Sequence, residues 1–154
     1  MSPLEIYMAK SKAKILVVDD NSGIRAALKV LLPLHFSQVE LIPSPKELVT
    51  KLADFRPDVV LLDMNFHTDI NTGNEGLYWL SEIKKRSPET EVVLFTAYAD
   101  IQLAVEGMKR GAFDFIVKPW DNDKLVETLK AAYDRTGKKE RTAVRPSSMN
   151  MLWG

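Results

Sequence analysis

The chain has 154 residues, 45% hydrophobic and 27% charged, with 21 basic and 21 acidic side chains and no cysteine. That length suits one domain with a core of its own, and the composition excludes a disordered chain, disulfides, thiol nucleophiles and Cys-ligated zinc. Residues 15–136 hold 14 basic against 19 acidic side chains, so the body is a poor match for a nucleic-acid backbone, which needs clustered Lys and Arg.

The opening MSPLEIYMAKSKAK has no apolar signal-peptide core, and no apolar run nears the ~18 residues of a membrane helix. A cytoplasmic protein without membrane contact is the expectation. The first apolar run is Ile15–Val18 in KILVVDD. Asn21 or Ser22 then caps a helix toward Leu32, with Ile24, Ala27, Leu28 and Leu31 at helical spacing and Pro33 ending it. Val39–Ile42 alternates and reads as an edge strand. Ser44 caps a short helix over residues 45–55, with Pro45 at the tolerated first position.

Val59–Leu62 in DVVLLDM is the third strand, and Leu77, Leu80 and Ile83 with Trp79 mark the third helix. Val92–Phe95 in EVVLFTA is the fourth strand. Asp100 opens the next helix, with Ile101, Ala104, Val105 and Met108 as its buried stripe and Gly111 as its stop. Phe115–Val117 in FDFIVKP is the fifth strand, and Asp121 caps a last helix that buries Leu125, Leu129 and Ala132. Residues 137–154 (GKKERTAVRPSSMNMLWG) lose the pattern and read as a basic, solvated linker. Four of the five strands are continuous apolar runs, the pattern of strands buried on both faces. Strands alternating with helices predict an α/β parallel sheet with right-handed crossovers and helices on both sides.

In such sheets ligands bind beyond the carboxyl ends of the strands. There the chain places Asp19 and Asp20 after the first run, Asp63 after the third, Thr96 after the fourth and Lys118 after the fifth. Any one of these is an ordinary strand end, since Asp often caps a following helix. Together they crowd three carboxylates, which repel one another unless a cation intervenes. Mg²⁺ suits an all-oxygen set completed by phosphate. Lys118 suits a phosphoryl oxygen or an unmodified Asp63, and the Thr96 hydroxyl donates a hydrogen bond to another oxygen. Asp63 is then a carboxylate nucleophile able to form an aspartyl phosphate.

The segments ILVVDDN, VVLLDMN, VVLFTAYAD and FDFIVKPW resemble the receiver domain of two-component response regulators over about residues 13–136. The resemblance implies a flavodoxin-like (βα)5 fold, a doubly wound five-stranded sheet in the order 2-1-3-4-5. It makes residues 1–12 an N-terminal extension and 137–154 a linker toward a missing effector domain. It implies a sensor histidine kinase that phosphorylates Asp63, with Lys118 and Thr96 serving the transfer. Mg²⁺ would be held directly by Asp20, through water by Asp19, and by Asp63 and the Asn65 backbone carbonyl. Lys118–Pro119 would be cis, and Thr96 and Phe115 would switch together. The output would be a changed surface around 104–110 and 124–135, read by homodimerisation or by an attached domain, through which any DNA or polymerase contact would run. A long segment, residues 64–76, and the basic tail resemble receivers of the nitrogen-regulator type, which precede a module acting on sigma-54 polymerase.

A phosphohydrolase of the haloacid-dehalogenase type also uses an aspartyl nucleophile, but it needs an acid two residues later, where Asn65 stands. A nucleotide-binding module lacks both of its glycine-rich signatures here. His67 reads as a surface residue of the long loop, with only His35 as a second histidine, too few for a metal cluster of their own. Tyr98, two residues after Thr96, is bulky enough to shield a phosphoryl group from water.

Overall fold

The computed structural model describes residues 10–65 and 75–138. His67, most of the 64–76 segment, and residues 1–9 and 139–154 lie outside the described residues. Five strands run β1 Ser11–Val18, β2 Phe36–Ile42, β3 Val59–Asp63, β4 Glu91–Ala97 and β5 Asp114–Lys118. Five helices follow them in turn: α1 Ser22–Leu31, α2 Leu48–Asp54, α3 Glu75–Arg86, α4 Ile101–Lys109 and α5 Asn122–Arg135. All pairings are parallel, and the order is β2-β1-β3-β4-β5. β1 begins at Ser11, inside the stretch read from the sequence as an extension.

Local chemistry accounts for the element ends. Asn21 accepts a hydrogen bond from Ile24 N and caps α1. Pro33 removes a donor, and the chain tightens there into a 3-10 turn over Leu32–Leu34. Ser44 caps a second such turn, Pro45–Glu47, before α2 begins. Asp121 accepts from the N–H groups of Asp123 and Lys124 and caps α5. Gly111, at φ +106°, turns the chain after α4 where a side chain would be strained.

The sheet separates two cores. On one side Ala13, Ile15 and Val17 of β1, Val59 and Leu61 of β3, and Val93 and Phe95 of β4 pack with Leu28 of α1 and Leu125, Leu129 and Ala132 of α5. On the other, Leu16, Val18, Val60, Leu62, Val92 and Leu94 pack with α2, α3 and α4. Successive strand residues alternate between these faces, so a residue's odd or even position decides its neighbours.

Two expected core positions of α4 differ. Val105 and Met108 are 38% and 36% exposed. α4 instead buries Ala104 and Gly107. A Cβ on Gly107 would stand 2.4 Å from Leu94 Cδ1. The helix therefore approaches β4 along its smallest residues, which turns the larger apolar arc outward. Ala27 of α1 is likewise exposed.

Gly76, in the first turn of α3, lies equally close to the strand-end residue Met64. A Cβ there would meet Met64 Sδ at 2.6 Å and Met64 Cα at 2.9 Å. Backbone cannot move aside as a side-chain tip can. Gly76→Ala is expected to lose ~1–3 kcal/mol to overpacking, more than the ~1 kcal/mol alanine gains in a helix. A melting temperature several degrees lower by calorimetry is the expected outcome; an unchanged value refutes it.

Candidate functional site

The two faces of the sheet sort the strand-end residues. Asp19 continues the odd series of β1, Asp63 that of β3 and Phe95 that of β4, while Lys118 continues the even series of β5 that includes Ile116. Asp63 pairs with Phe95, and Phe95 with Ile116, across the ladders. Asp19, Asp63 and Phe95 thus lie in one row on the α1–α5 face, completed on β5 by Ile116, and Lys118 stands on the same face two residues beyond it, in register with Ala97. The row lies where β1 has neighbours on both sides and the chain reverses its winding, the usual crevice of an open α/β sheet.

Asp19 is wholly buried and fully engaged. Its Oδ1 accepts Asn21 N at 2.9 Å, its Oδ2 accepts Lys118 Nζ at 2.9 Å, and its backbone carbonyl accepts Arg25 Nη1 at 2.8 Å. Asp63 is 1% exposed. Its Oδ1 accepts Asn65 N at 2.9 Å and Lys118 Nζ at 3.1 Å. Among the described residues no hydrogen bond reaches its Oδ2. Asp20 is half-buried, and one carboxylate oxygen from each of Asp19, Asp20 and Asp63 lies within 4.8 Å of the others. Three hard oxygen donors so close together can hold a metal ion.

The electrostatics follow from the burial. Lys118 is the cation bonded to both Asp19 and Asp63, and its side chain is 18% exposed. Burial, and then the Asp19 charge, push the Asp63 carboxyl up to about 6 from the usual 3.8. The Asn65 N–H and Lys118 pull it back only in part.

The remaining sequence-predicted residues stand nearby but apart from the row. Thr96 is fully buried and alternates onto the opposite face, that of Leu94. Its hydroxyl donates to the carbonyls of Ala97 and Asp100, both at 3.3 Å, and not to the acids. Phe115, partly buried on that same face, pairs with Leu94. Lys118–Pro119 is cis. Tyr98 is 78% exposed, so its ring is mostly in solvent. Trp120 packs edge-on against Phe95, with ring centroids 5.2 Å apart.

Two contributors escaped the sequence reading. Arg25 anchors the Asp19 carbonyl, and the ring of Phe95 lies 4.7 Å from Lys118 Nζ. Phe95 carried no signal of this role, since it ends a continuous apolar run and only the strand register pairs it with Asp63. Arg25 carried none, because helical arginines are usually solvated.

A parallel α/β sheet in this order, with a lysine-bridged acid cluster at its switch point, defines a flavodoxin-like signalling fold rather than a glycine-rich nucleotide binder. Residues 15–130 match the response regulator receiver domain, and the chain belongs to that family. It is 56% identical to the N-terminal signal receiver domain of a two-component response regulator from Bacteroides fragilis, with a TM-score of 0.73 over 80% of this chain and 98% of that one. It is 33% identical over 147 residues to the transcriptional regulatory protein ZraR of Salmonella typhimurium, covering 96% of this chain and 32% of the relative. It is 35% identical over 116 residues to the DNA-binding transcriptional regulator NtrC of the same organism, covering 75% of this chain and 24% of the relative. The chain therefore spans about a quarter to a third of the length of these curated relatives. The receiver family is not a classical enzyme family, and among the described residues no helix is long and apolar enough to cross a membrane.

The raised Asp63 carboxyl has a consequence for stability. The unfolded chain ionises this group near 3.8 and the folded chain near 6, so unfolding gains relative to folding as pH rises between those values. The penalty is absent below about pH 4 and complete above about pH 6 to 7. Metal-free Asp63→Asn is expected to be more stable than the wild type at pH 7.5 by roughly 2–3 kcal/mol. That advantage should shrink to nothing by pH 4. Denaturant unfolding at the two pH values checks this, and an advantage that grows on acidification refutes it.

Proposed function

We propose that Asp63 accepts a phosphoryl group from a sensor histidine kinase and that the gain switches the surface built by α4, β5 and α5. The observation that carries this reading is the Lys118-bridged carboxylate cluster, in which Asp63 Oδ2 accepts no hydrogen bond among the described residues. The attacking group is an Asp63 carboxylate oxygen. It forms a P–O bond as the P–N bond of a phosphohistidine breaks, and the imidazole leaves with the electron pair and takes up a proton. Lys118, already 3.1 Å from the Asp63 carboxylate, has only to follow the negative charge onto the phosphoryl oxygens. Asn65 engages Asp63 through its backbone N–H, which leaves no acid at that position for a phosphohydrolase.

The residues present fit Mg²⁺: Asp19, Asp20 and Asp63 each bring a carboxylate oxygen within 4.8 Å of the others, and the Asn65 carbonyl would complete an oxygen-only donor set. When bound, the ion neutralises charge on the phosphoryl oxygens during transfer. Asp19 is committed to Asn21 N and Lys118, whereas Asp20 is less buried, which favours direct ligation by Asp20 and a water-linked role for Asp19.

Thr96 is the switch hydroxyl. Its two present hydrogen bonds are long, so a phosphoryl oxygen competes with them readily. Movement of Thr96 frees space on the Leu94 face, which Phe115 shares. The exposed Val105 and Met108 of α4 suit an output surface that pairs with a second copy or holds an attached domain. Residues 13–136 are the receiver and 137–154 lead toward an effector domain, of which ZraR and NtrC supply the pattern through their greater length. DNA or polymerase contact belongs to that effector, and the site of action is the cytoplasm, where a sensor kinase presents its phosphohistidine.

Two experiments test the reading. Incubation with a small phosphodonor and Mg²⁺ is expected to yield a single phosphoryl adduct by intact-mass spectrometry, absent in Asp63→Asn. Rapid turnover of phosphate esters without an adduct would favour a hydrolase instead. Mg²⁺ is also expected to raise the melting temperature of the wild type and to leave Asp20→Ala nearly unmoved; an equal shift in both would remove Asp20 from the ligand set.

A further inference from the structure

Phe95 is the aromatic residue on the sheet face that carries Asp19, Asp63 and Lys118. It is fully buried and pairs in register with Asp63. Its carbonyl accepts Met64 N at 2.9 Å, which ties its backbone to the strand end that carries Asp63. The Lys118 ammonium lies 4.7 Å from the centre of its ring, well within the range of a cation–π contact. Trp120 packs edge-on against the same ring at 5.2 Å and is itself tethered by Nε1–H donating to Asn122 Oδ1 at 2.8 Å. The ring is thus held by Trp120 and by its strand register, with the Lys118 ammonium over it.

Lys118 therefore has three partners: Asp19 Oδ2, Asp63 Oδ1 and the Phe95 ring. The ring, like Asp19, keeps its attraction for the ammonium when the charge on Asp63 changes, and it does so without competing for the N–H donors. A flexible four-carbon stem loses considerable rotamer freedom when held in one place. A buried quadrupole, in a site poor in water, offsets part of that loss.

We propose that Phe95 is a positioning residue for phosphoryl transfer: its ring face holds the Lys118 ammonium over the acid cluster while the charge passes from the Asp63 carboxylate to the phosphoryl group. The proposal rests on the phosphoacceptor reading above and adds the aromatic partner that directs the lysine. The step itself is unchanged in atoms and charge, since Phe95 forms and breaks no bond.

The test replaces Phe95 with phenylalanines of increasing ring fluorination, which keep the shape and weaken the negative face, and compares Phe95→Leu. Melting temperature and calorimetric Mg²⁺ affinity monitor folding and the metal site. The expected result is a stepwise fall in the phosphorylation rate constant at saturating phosphodonor, reaching roughly three- to tenfold for the most fluorinated ring, with Mg²⁺ affinity within about twofold and no parallel trend in melting temperature. In a Lys118→Ala background the same ring series should have no effect. A rate independent of fluorination, or an equal fall without Lys118, overturns the proposal.

A second readout does not need phosphorylation. Stacked over the ring, the Lys118 ε-methylene protons should resonate upfield of those of solvated lysines, and Phe95→Leu should abolish that shift. Absence of the shift in the wild type overturns the proposal. A wild type that shows the shift but takes up no phosphoryl group overturns the phosphoacceptor reading and, with it, the role of Phe95 in transfer, while the contact itself stands.

Discussion

The ammonium of Lys118 bridging Asp19 and Asp63 is the contact on which the rest of the site depends. Two carboxylates that are essentially out of water repel each other, and burial disfavours the charged form of Asp63. One shared cation, with N–H donors from Asn21 and Asn65, makes the pair tolerable but does not fully compensate it, as the raised Asp63 carboxyl shows. A fold keeps such a cluster when the residual imbalance is useful. Here three carboxylates that could hold a metal ion remain gathered at one edge of the sheet.

The parallel sheet makes the cluster possible. Lys118 lies 99 residues from Asp19 and 55 from Asp63, and it meets both because β1, β3, β4 and β5 end on the same edge. Each strand there leads into a turn, so side chains at the edge face a crevice and not a neighbouring layer. Helices on both faces supply the burial that holds the strands in register, with α1 and α5 on the acid side and α2, α3 and α4 on the other. The two faces also divide the work. Acids, lysine and the Phe95–Trp120 pair occupy one, while Thr96 and Phe115 occupy the other.

α4 adds an economy of its own. By touching β4 through Ala104 and Gly107 it approaches closely and leaves Val105 and Met108 outside. The close approach leaves an apolar arc in solvent that a looser seating would have buried.

Much of this could be read from the amino-acid order. Continuous apolar runs, caps at Asn21, Ser44 and Asp121, and breakers at Pro33 and Gly111 act over a few residues, so element type and sequence follow from local chemistry. The polar strand ends at Asp19, Asp20, Asp63, Thr96 and Lys118 were visible for the same reason. The register between strands was not, because it is set by helices packing across the sheet between segments tens of residues apart. Only the tertiary structure therefore decided that Phe95 stands in the row with the acids, that Thr96 faces away from them, and which arc of α4 meets the core. Helical periodicity identifies an apolar stripe, but the closeness of approach, decided by Gly107 against Leu94, determines which side of it is buried.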